Sequence, residues 1–274
     1  MTDKPGPSPL GRATDYPDRY DARLLFPLVR ATLREGLGIR GAPPFRGFDF
    51  WTAYEISWLD ARGKPQLAIG ELRVPADSPS LVESKSLKLY LGSYAQESMS
   101  GIDAVAKRIA ADVTSACGAE VEVGLTPGSR FARFAAADLP GESLDAAPVA
   151  IEAYEPDPGA LAARGAKVEE TLRSALFRSN CPVTGQPDYA DIMLRYRGAR
   201  IDRPGLLRYL VSYRKHAAFQ ETCVERIFVD VLECCKPQAL SVYARFVRRG
   251  GIDINPFRSN FESMPPQVLR TPRQ

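Results

Sequence analysis

Along this chain the spacing of apolar and polar positions changes period several times. Trp51 to Leu59 and Leu67 to Val74 are runs of strand-forming residues. Between them Asp60-Ala61-Arg62-Gly63-Lys64-Pro65 supplies the turn chemistry of a hairpin. Ile102, Val105, Ile109 and Val113 then recur at helical spacing, and Ala119 to Leu125 alternates apolar with polar up to Pro127-Gly128. A similar succession returns later. Tyr189 to Arg197 predicts a strand; Phe219, Cys223, Ile227, Val231 and Cys235 line one face of a helix; Leu240 to Val247 alternates as a half-buried strand does. Val168 to Phe177 reads as an apolar-patterned helix. Residues 135–147 and 156–166, rich in Ala, Gly, Pro and Asp, predict connecting surface segments.

The succession is an internal repeat. Gly63-Lys64-Pro65-Gln66-Leu67-Ala68-Ile69 matches Gly185-Gln186-Pro187-Asp188-Tyr189-Ala190-Asp191, and Leu89-Tyr90-Leu91-Gly92-Ser93-Tyr94 matches Arg208-Tyr209-Leu210-Val211-Ser212-Tyr213, in the same order and at nearly the same offset. Each half then reads β-β-α-α-β with a further strand. The predicted class is α+β, with two tandem modules, each an antiparallel sheet with two helices. The boundaries expected are 1–45 for an N-terminal arm and lead-in, 46–156 for the first module and 157–274 for the second. The offsets set Leu59 opposite Cys181, Gln66 opposite Asp188, Glu83 opposite Asp202 and Lys85 opposite Pro204. Each copy keeps chemistry that the other lacks. One composite site and one vestigial counterpart are therefore expected.

Composition narrows the functional classes. The chain has 274 residues, 45% of them hydrophobic and 25% charged, as in soluble globular proteins. No run approaches the ~18–20 apolar residues of a membrane span. Met1-Thr2-Asp3-Lys4-Pro5-Gly6-Pro7 lacks the plan of a signal peptide and reads as a flexible arm. A formal net charge of +3 is too small for a general nucleic-acid footprint. Five cysteines, an odd number without a Cys-x-x-Cys pair, and a single histidine, His216, support neither a disulfide framework nor a zinc site. Reduced thiols in a cytoplasmic protein are expected.

Two stretches carry candidate chemistry. Ser179-Asn180-Cys181-Pro182-Val183-Thr184-Gly185-Gln186-Pro187-Asp188 places a thiol and a carboxylate on either side of a Gly-x-Pro turn. Glu83-Ser84-Lys85-Ser86-Leu87-Lys88-Leu89-Tyr90 concentrates a carboxylate, two ammonium groups and hydroxyls on one segment. A free thiol has a pKa of about 8.5, so a nucleophilic cysteine needs a base or a positive charge nearby. If Cys181 follows a helix C-terminus, the dipole opposes its thiolate and makes Asp188, or a lysine, more necessary. The bland alternative for Cys181 by itself is a small core residue. Cys223 reads as core; Cys117, Cys234 and Cys235 as space-filling near helix ends; His216 as a surface or helix-end residue. Lys85 and Lys88 alone would be a solvated helix face, but at a helix start they and the backbone N–H groups can hold phosphate. Tyr90, Tyr94, Tyr209 and Tyr213 read as packing residues of paired helices.

At these residues the chain resembles the nitrile reductases that convert 7-cyano-7-deazaguanine to 7-aminomethyl-7-deazaguanine in queuosine biosynthesis. Glu83 to Tyr90 looks like that family's NADPH-associated signature, Ser179 to Asp188 like its nucleophile segment, and Arg248-Arg249-Gly250-Gly251-Ile252-Asp253-Ile254-Asn255-Pro256 like its C-terminal signature. The likeness runs from about Asp15 to the end and is strongest to the two-module form, whose tunnelling-fold (T-fold) modules usually assemble as homodimers. It implies Cys181 as the nucleophile that forms a covalent thioimide and Asp188 as proton donor. It implies Val82, Glu83, Ser84, Gln220 and Glu221 as substrate-binding, with the two glutamates on the deazaguanine ring. Ser84, Lys85, Arg249 and Gly250 would lie against NADPH. No metal, nucleic-acid or membrane partner is implied. The chain departs from the family at Gln220, where a histidine is usual; Gln hydrogen-bonds but carries no proton at neutral pH. The competing readings are a pterin-type cyclohydrolase on the same fold, which would need a zinc site, and a non-catalytic purine-binding module.

Overall fold

A computed structural model describes residues 16–17, 19–39, 41–265 and 270–274; the arm expected at Met1–Pro7 lies outside them. In chain order the elements are β1 (Pro27–Val29), α1 (Arg30–Glu35), β2 (Arg46–Leu59), β3 (Pro65–Pro75), β4 (Ser80–Val82), α2 (Ser84–Gly92), α3 (Ile102–Cys117), β5 (Glu122–Pro127), β6 (Glu142–Ser143), β7 (Ala163–Asn180), β8 (Pro187–Ile201), α4 (Arg203–Ser212), α5 (Gln220–Cys235), β9 (Ala239–Phe246) and β10 (Ile252–Ser259). They form two compact units that interleave in sequence. The first comprises 1–33, 49–134 and 248–254; the second comprises 34–48, 135–247 and 255–274. The expected break near 156 is thus displaced: 135–156 and 34–48 belong with the second unit, and 248–254 with the first.

In the first unit β5, β3, β2 and the start of β10 lie side by side, with β3 and β5 antiparallel from Ala68↔Pro127 to Arg73↔Glu122. Hairpin β2–β3 closes at Asp60, which accepts from the backbone N–H of Arg62 and Lys64 and so fixes the turn. Helices α2 and α3 bury Leu87, Leu91, Val105, Ile109 and Val113 with Trp51, Ile56 and Trp58 of the sheet. In the second unit the order is the end of β10, β9, β8, β7 and β6; the pairs are antiparallel except β6–β7, which is parallel. Here α4 and α5 bury Leu206, Leu210, Val224, Ile227, Phe228 and Val231 with Ile192, Leu194, Val242 and Ala244. Each unit is an antiparallel sheet with two helices, the plan expected of a T-fold module.

The internal geometry of the two units repeats closely. Tyr90 Oη donates to Asp112 Oδ2 at 2.6 Å and pairs with Tyr94 Oη at 2.8 Å; Tyr209 Oη donates to Asp230 Oδ2 at 2.6 Å and pairs with Tyr213 Oη at 2.7 Å. Ser93 and Ser212 each donate to the carbonyl three residues back, and accept from the backbone N–H of Asp21 and Asp157. Glu83 caps α2 and Asp202 caps α4. The four tyrosines are packing residues, as expected.

Three expectations need correction. Val168–Phe177 is not a helix but the middle of β7, paired with β8 along its length. A bulge between Ser174 and Phe177 shifts the inward positions from Leu172 and Ser174 to Phe177 and Ser179, which breaks strict alternation. The segment 156–166 is not wholly a connection, since β7 begins at Ala163. And β9 is buried at every position rather than half-buried, because it is a central strand between β8 and β10 with residues packed on both faces.

Candidate active site

The second unit gathers the thiol, the acid and two polar residues of a helix start. Strand β7 runs to Asn180, and the chain turns back through Cys181, whose N–H donates to Gln186 O at 2.9 Å while its carbonyl accepts from Gly185 N at 3.0 Å. Gly185 has φ +70°, a left-handed value that L side chains seldom adopt, so the Gly-x-Pro turn requires its glycine. Register pairs Ser179 with Asp188. Cys181 lies directly beyond the end of β7, two residues from Ser179, at the start of the turn that leads back to Asp188. Cys181 and Asp188 are both buried, at 4% and 3% exposure. Because Cys181 follows a strand and not a helix, no helix C-terminus opposes its thiolate.

The start of α5 is tied to the same hairpin. Asn180 N donates to His216 O at 2.8 Å, and Ala218 N donates to Asn180 O at 3.1 Å. Two residues later the helix begins with Gln220 and Glu221, both buried. Gln220 Nε2 donates to Asp188 Oδ1 at 3.1 Å, while Gln220 Oε1 is buried and has no hydrogen-bond partner among the described residues. Cys223, one turn along, is fully buried, and its thiol is pushed up to about 12, chiefly by burial. It is a core residue, as are Cys117 and Cys235. Cys234 departs from its expected space-filling role: it is exposed. His216 ends a short 3-10 turn, and burial lowers its pKa below the usual imidazole value.

The first unit carries the remaining candidates. Val82 ends β4, paired with Pro27 of β1, and Glu83 follows with its N–H donated to Phe26 O at 2.9 Å. The Glu83 carboxylate is the N-cap of α2: Oε1 accepts from Lys85 N at 2.7 Å and Oε2 from Ser86 N at 2.9 Å, with Ser84 Oγ 3.4 Å from Oε1. This corrects one expectation. The first amide N–H groups of α2 are engaged by Glu83 and are not available for phosphate. A carboxylate has about four lone-pair sites, so Glu83 keeps acceptor capacity with its orientation fixed. Arg249 and Gly250 lie in the turn before β10, where Arg249 N donates to Ile252 O at 2.9 Å and Gly250 has φ +57°. A Cβ on Gly250 would meet Lys88 Cδ at 3.3 Å and Nζ at 3.5 Å. Lys88 thus packs against the Arg249-Gly250 turn, one helical turn from Lys85.

Residues 16–125 match the model of the family described as "Nitrile reductase, 7-cyano-7-deazaguanine-reductase N-term", and residues 187–264 match that of "QueF-like protein". The chain is 55% identical over 272 residues to the NADPH-dependent 7-cyano-7-deazaguanine reductase of Burkholderia vietnamiensis, covering 98% of this chain and 99% of that one. Identity to the same-named proteins of Burkholderia ambifaria and Burkholderia cenocepacia is likewise 55%, with the same coverage. A solved apo archaeosine synthase QueF-Like aligns with 36% of this chain and 97% of its own at 16% identity and a TM-score of 0.32, too distant to bear on the site.

Proposed function

Because this chain belongs to the NADPH-dependent 7-cyano-7-deazaguanine reductases, we propose that Cys181, Asp188, Gln220 and Glu221 act with Glu83, Ser84, Lys85, Arg249 and Gly250 on that reaction. The chain is an oxidoreductase that reduces the nitrile of 7-cyano-7-deazaguanine to the aminomethyl group with NADPH, a step of queuosine biosynthesis. The carrying observation for the residues is the hydrogen bond from Gln220 to Asp188 beside the Cys181 hairpin.

A nitrile carbon is a poor acceptor for direct hydride attack, and covalent addition first turns it into a reducible C=N. In this reading Cys181 Sγ bonds to the nitrile carbon while one C–N π bond breaks. The electron pair released on nitrogen takes a proton through Asp188, which removes the thiol proton and delivers it, leaving a thioimide. Glu83 and Glu221 accept N–H groups from the guanidine-like edge of the ring, with Val82 and Ser84 alongside. Gln220 holds Asp188 in place. Lys85, Lys88 and Arg249, with Lys88 packed on the turn that holds Gly250, are a cationic donor set that fits the phosphates of NADPH. When bound, NADPH supplies hydride, two equivalents for each nitrile carried to the amine. Collapse of the reduced adduct expels Cys181 as thiolate and frees an imine for the second reduction.

Among the described residues no group of three or more His, Cys, Asp or Glu side chains could hold a metal ion, and no step is assigned to one. No helix among them is long and apolar enough to cross a membrane. The resemblance supports a cytoplasmic homodimer without direct nucleic-acid binding, which sedimentation and a gel-shift assay with tRNA test. The assignment of residues is tested by following NADPH oxidation against amine formed. Two NADPH per amine in the wild type and no turnover in Cys181→Ala are expected; wild-type turnover in Cys181→Ala overturns the nucleophile.

A further inference from the structure

Gln220 stands where the resemblance expects histidine, and its amide is used at one end only. Nε2 is engaged by Asp188 at 3.1 Å; Oε1 is buried with no hydrogen-bond partner among the described residues, on a side chain that is 7% exposed. Buried acceptors are nearly always paired, because an unpaired one keeps its desolvation cost. Geometry limits what can pair this one. The oxygen and nitrogen of a primary amide lie about 2.2 Å apart, and Nε2 is 3.1 Å from Asp188 Oδ1. Oε1 is therefore no farther than about 5.3 Å from Oδ1, less than the roughly 5.8 Å that two hydrogen bonds of ~2.9 Å can span. The separation of the two oxygens is therefore within the span of a single nitrogen donor.

We propose that Gln220 Oε1 accepts the N–H that the substrate nitrogen gains during the reaction, so that Gln220 favours the intermediates and the amine over the nitrile. This rests on the covalent reading above. The nitrile nitrogen has a lone pair and no hydrogen, and cannot pair with an acceptor. Addition of Cys181 Sγ–H across the triple bond leaves one N–H. Each later hydride and proton adds hydrogens to carbon and nitrogen, so the thioimide, the imine and the amine are all donors. An interaction absent in the ground state and present afterwards lowers the barrier instead of tightening substrate binding. A neutral histidine offers the same pairing of one N–H donor and one acceptor. Gln220 would then retain the hydrogen-bonding part of the family's usual residue without its titration.

Binding to the Cys181→Ala enzyme isolates the effect from covalent chemistry. Isothermal titration with 7-cyano- and 7-aminomethyl-7-deazaguanine is compared between Cys181→Ala and Cys181→Ala/Gln220→Met. The nitrile should bind within about twofold in both, and the amine about tenfold more weakly without Gln220, a difference of ~1.4 kcal/mol. Gln220→His should restore the preference for the amine, which a merely structural role would not require. Equal weakening of both ligands, or of neither, overturns the proposal. Should the Met variant not fold, Gln220→Glu retains an acceptor while losing the donor, and must keep the amine preference; its loss also overturns the proposal. Failure of the covalent reading is seen separately, as absence of any adduct between wild-type Cys181 and the nitrile without NADPH, and takes this proposal with it.

Discussion

Glu225 lies one turn beyond Glu221 on α5, and its carboxylate is buried between two guanidinium groups of the second unit. Arg34 donates through Nε to Oε2 at 2.8 Å and through Nη2 to Oε1 at 2.7 Å; Arg258 donates through Nε and Nη2 to Oε1 at 3.0 and 2.8 Å. Side-chain exposure is 4% for Glu225, 10% for Arg34 and 0% for Arg258. Both guanidinium carbons also sit 5.5 Å from the Phe45 ring. Glu225→Leu would leave two positive charges buried with their shared carboxylate gone. Removing one partner of a buried pair costs about 3–5 kcal/mol, a large part of the roughly 5–15 kcal/mol that holds a domain folded. At about 2–4 °C per kcal/mol for units of this size, the melting temperature should fall by ~6–20 °C. Thermal and urea unfolding followed by circular dichroism measure this. Adding Arg34→Met and Arg258→Met should recover much of the loss, since a packed apolar replacement of a buried ion cluster is often neutral or stabilising. A single variant within 1 °C of wild type, or a triple variant no better than the single, would refute the reasoning.

Asp188→Asn should fold and lose about 10² to 10⁴ in turnover, the usual worth of acid–base help, and a loss below threefold would remove Asp188 from proton transfer. Gln220→Ala should slow reduction modestly, by roughly the 0.5–1.5 kcal/mol of a neutral hydrogen bond, as read from single-turnover rates; a variant as inactive as Cys181→Ala would contradict that. Burial and the Arg226 charge hold His216 below its ordinary pKa, so the folded state disfavours its protonation. The stability linked to this group is whole above about pH 6.5 and is lost as pH falls toward the lowered folded value. His216→Gln should therefore flatten the acid side of a melting-temperature profile, and an unchanged slope would count against it. Under brief iodoacetamide treatment of the native protein, exposed Cys234 should label before buried Cys223, whose thiol is raised to about 12; peptide mapping in the reverse order would contradict the burial pattern.

How far the fold was legible depends on where hydropathy and geometry coincide. The β2–β3 hairpin follows from its turn residues, and α3 and α5 from apolar residues at helical spacing, although α3 alone has a wet face and α5 exposes only Glu233 and Cys234. The duplication was legible from a few identities, and the paired caps of Glu83 and Asp202 and the paired Tyr–Tyr–Asp clusters agree with it. Strand β7 reads as a helix because Val168, Leu172, Ala175 and Leu176 fall at i, i+4, i+7 and i+8, while its bulge moves the inward set by one residue and the core takes Ser174 and Ser179 as well as Leu172 and Phe177. Helix α1 went unseen, and so did the transfer of residues 34–48 to the second unit. The link is the charged cluster of Arg34, Glu225 and Arg258, and charged residues score as surface whatever their partners. At the candidate site Cys181, Asp188 and Gln220 were each singled out by the sequence. Their juxtaposition was not, because the contact from Gln220 to Asp188 spans 32 residues and depends on Asn180 pairing with the segment before α5. The use of Glu83 as a helix cap had a visible signal, an acidic residue before Ser-Lys-Ser and an apolar run, which its expected ring-binding role obscured.

The central claim is that Cys181 adds to the nitrile before any hydride is transferred. Intact-mass and peptide-mapping spectrometry of the wild-type enzyme mixed with 7-cyano-7-deazaguanine, with no NADPH present, tests it most directly. The account predicts a mass gain equal to the whole substrate, with no group lost, located on the peptide containing Cys181, absent from Cys181→Ala and discharged when NADPH is added. An unmodified Cys181 in an enzyme that nevertheless reduces the nitrile, or an adduct on another cysteine, would contradict it.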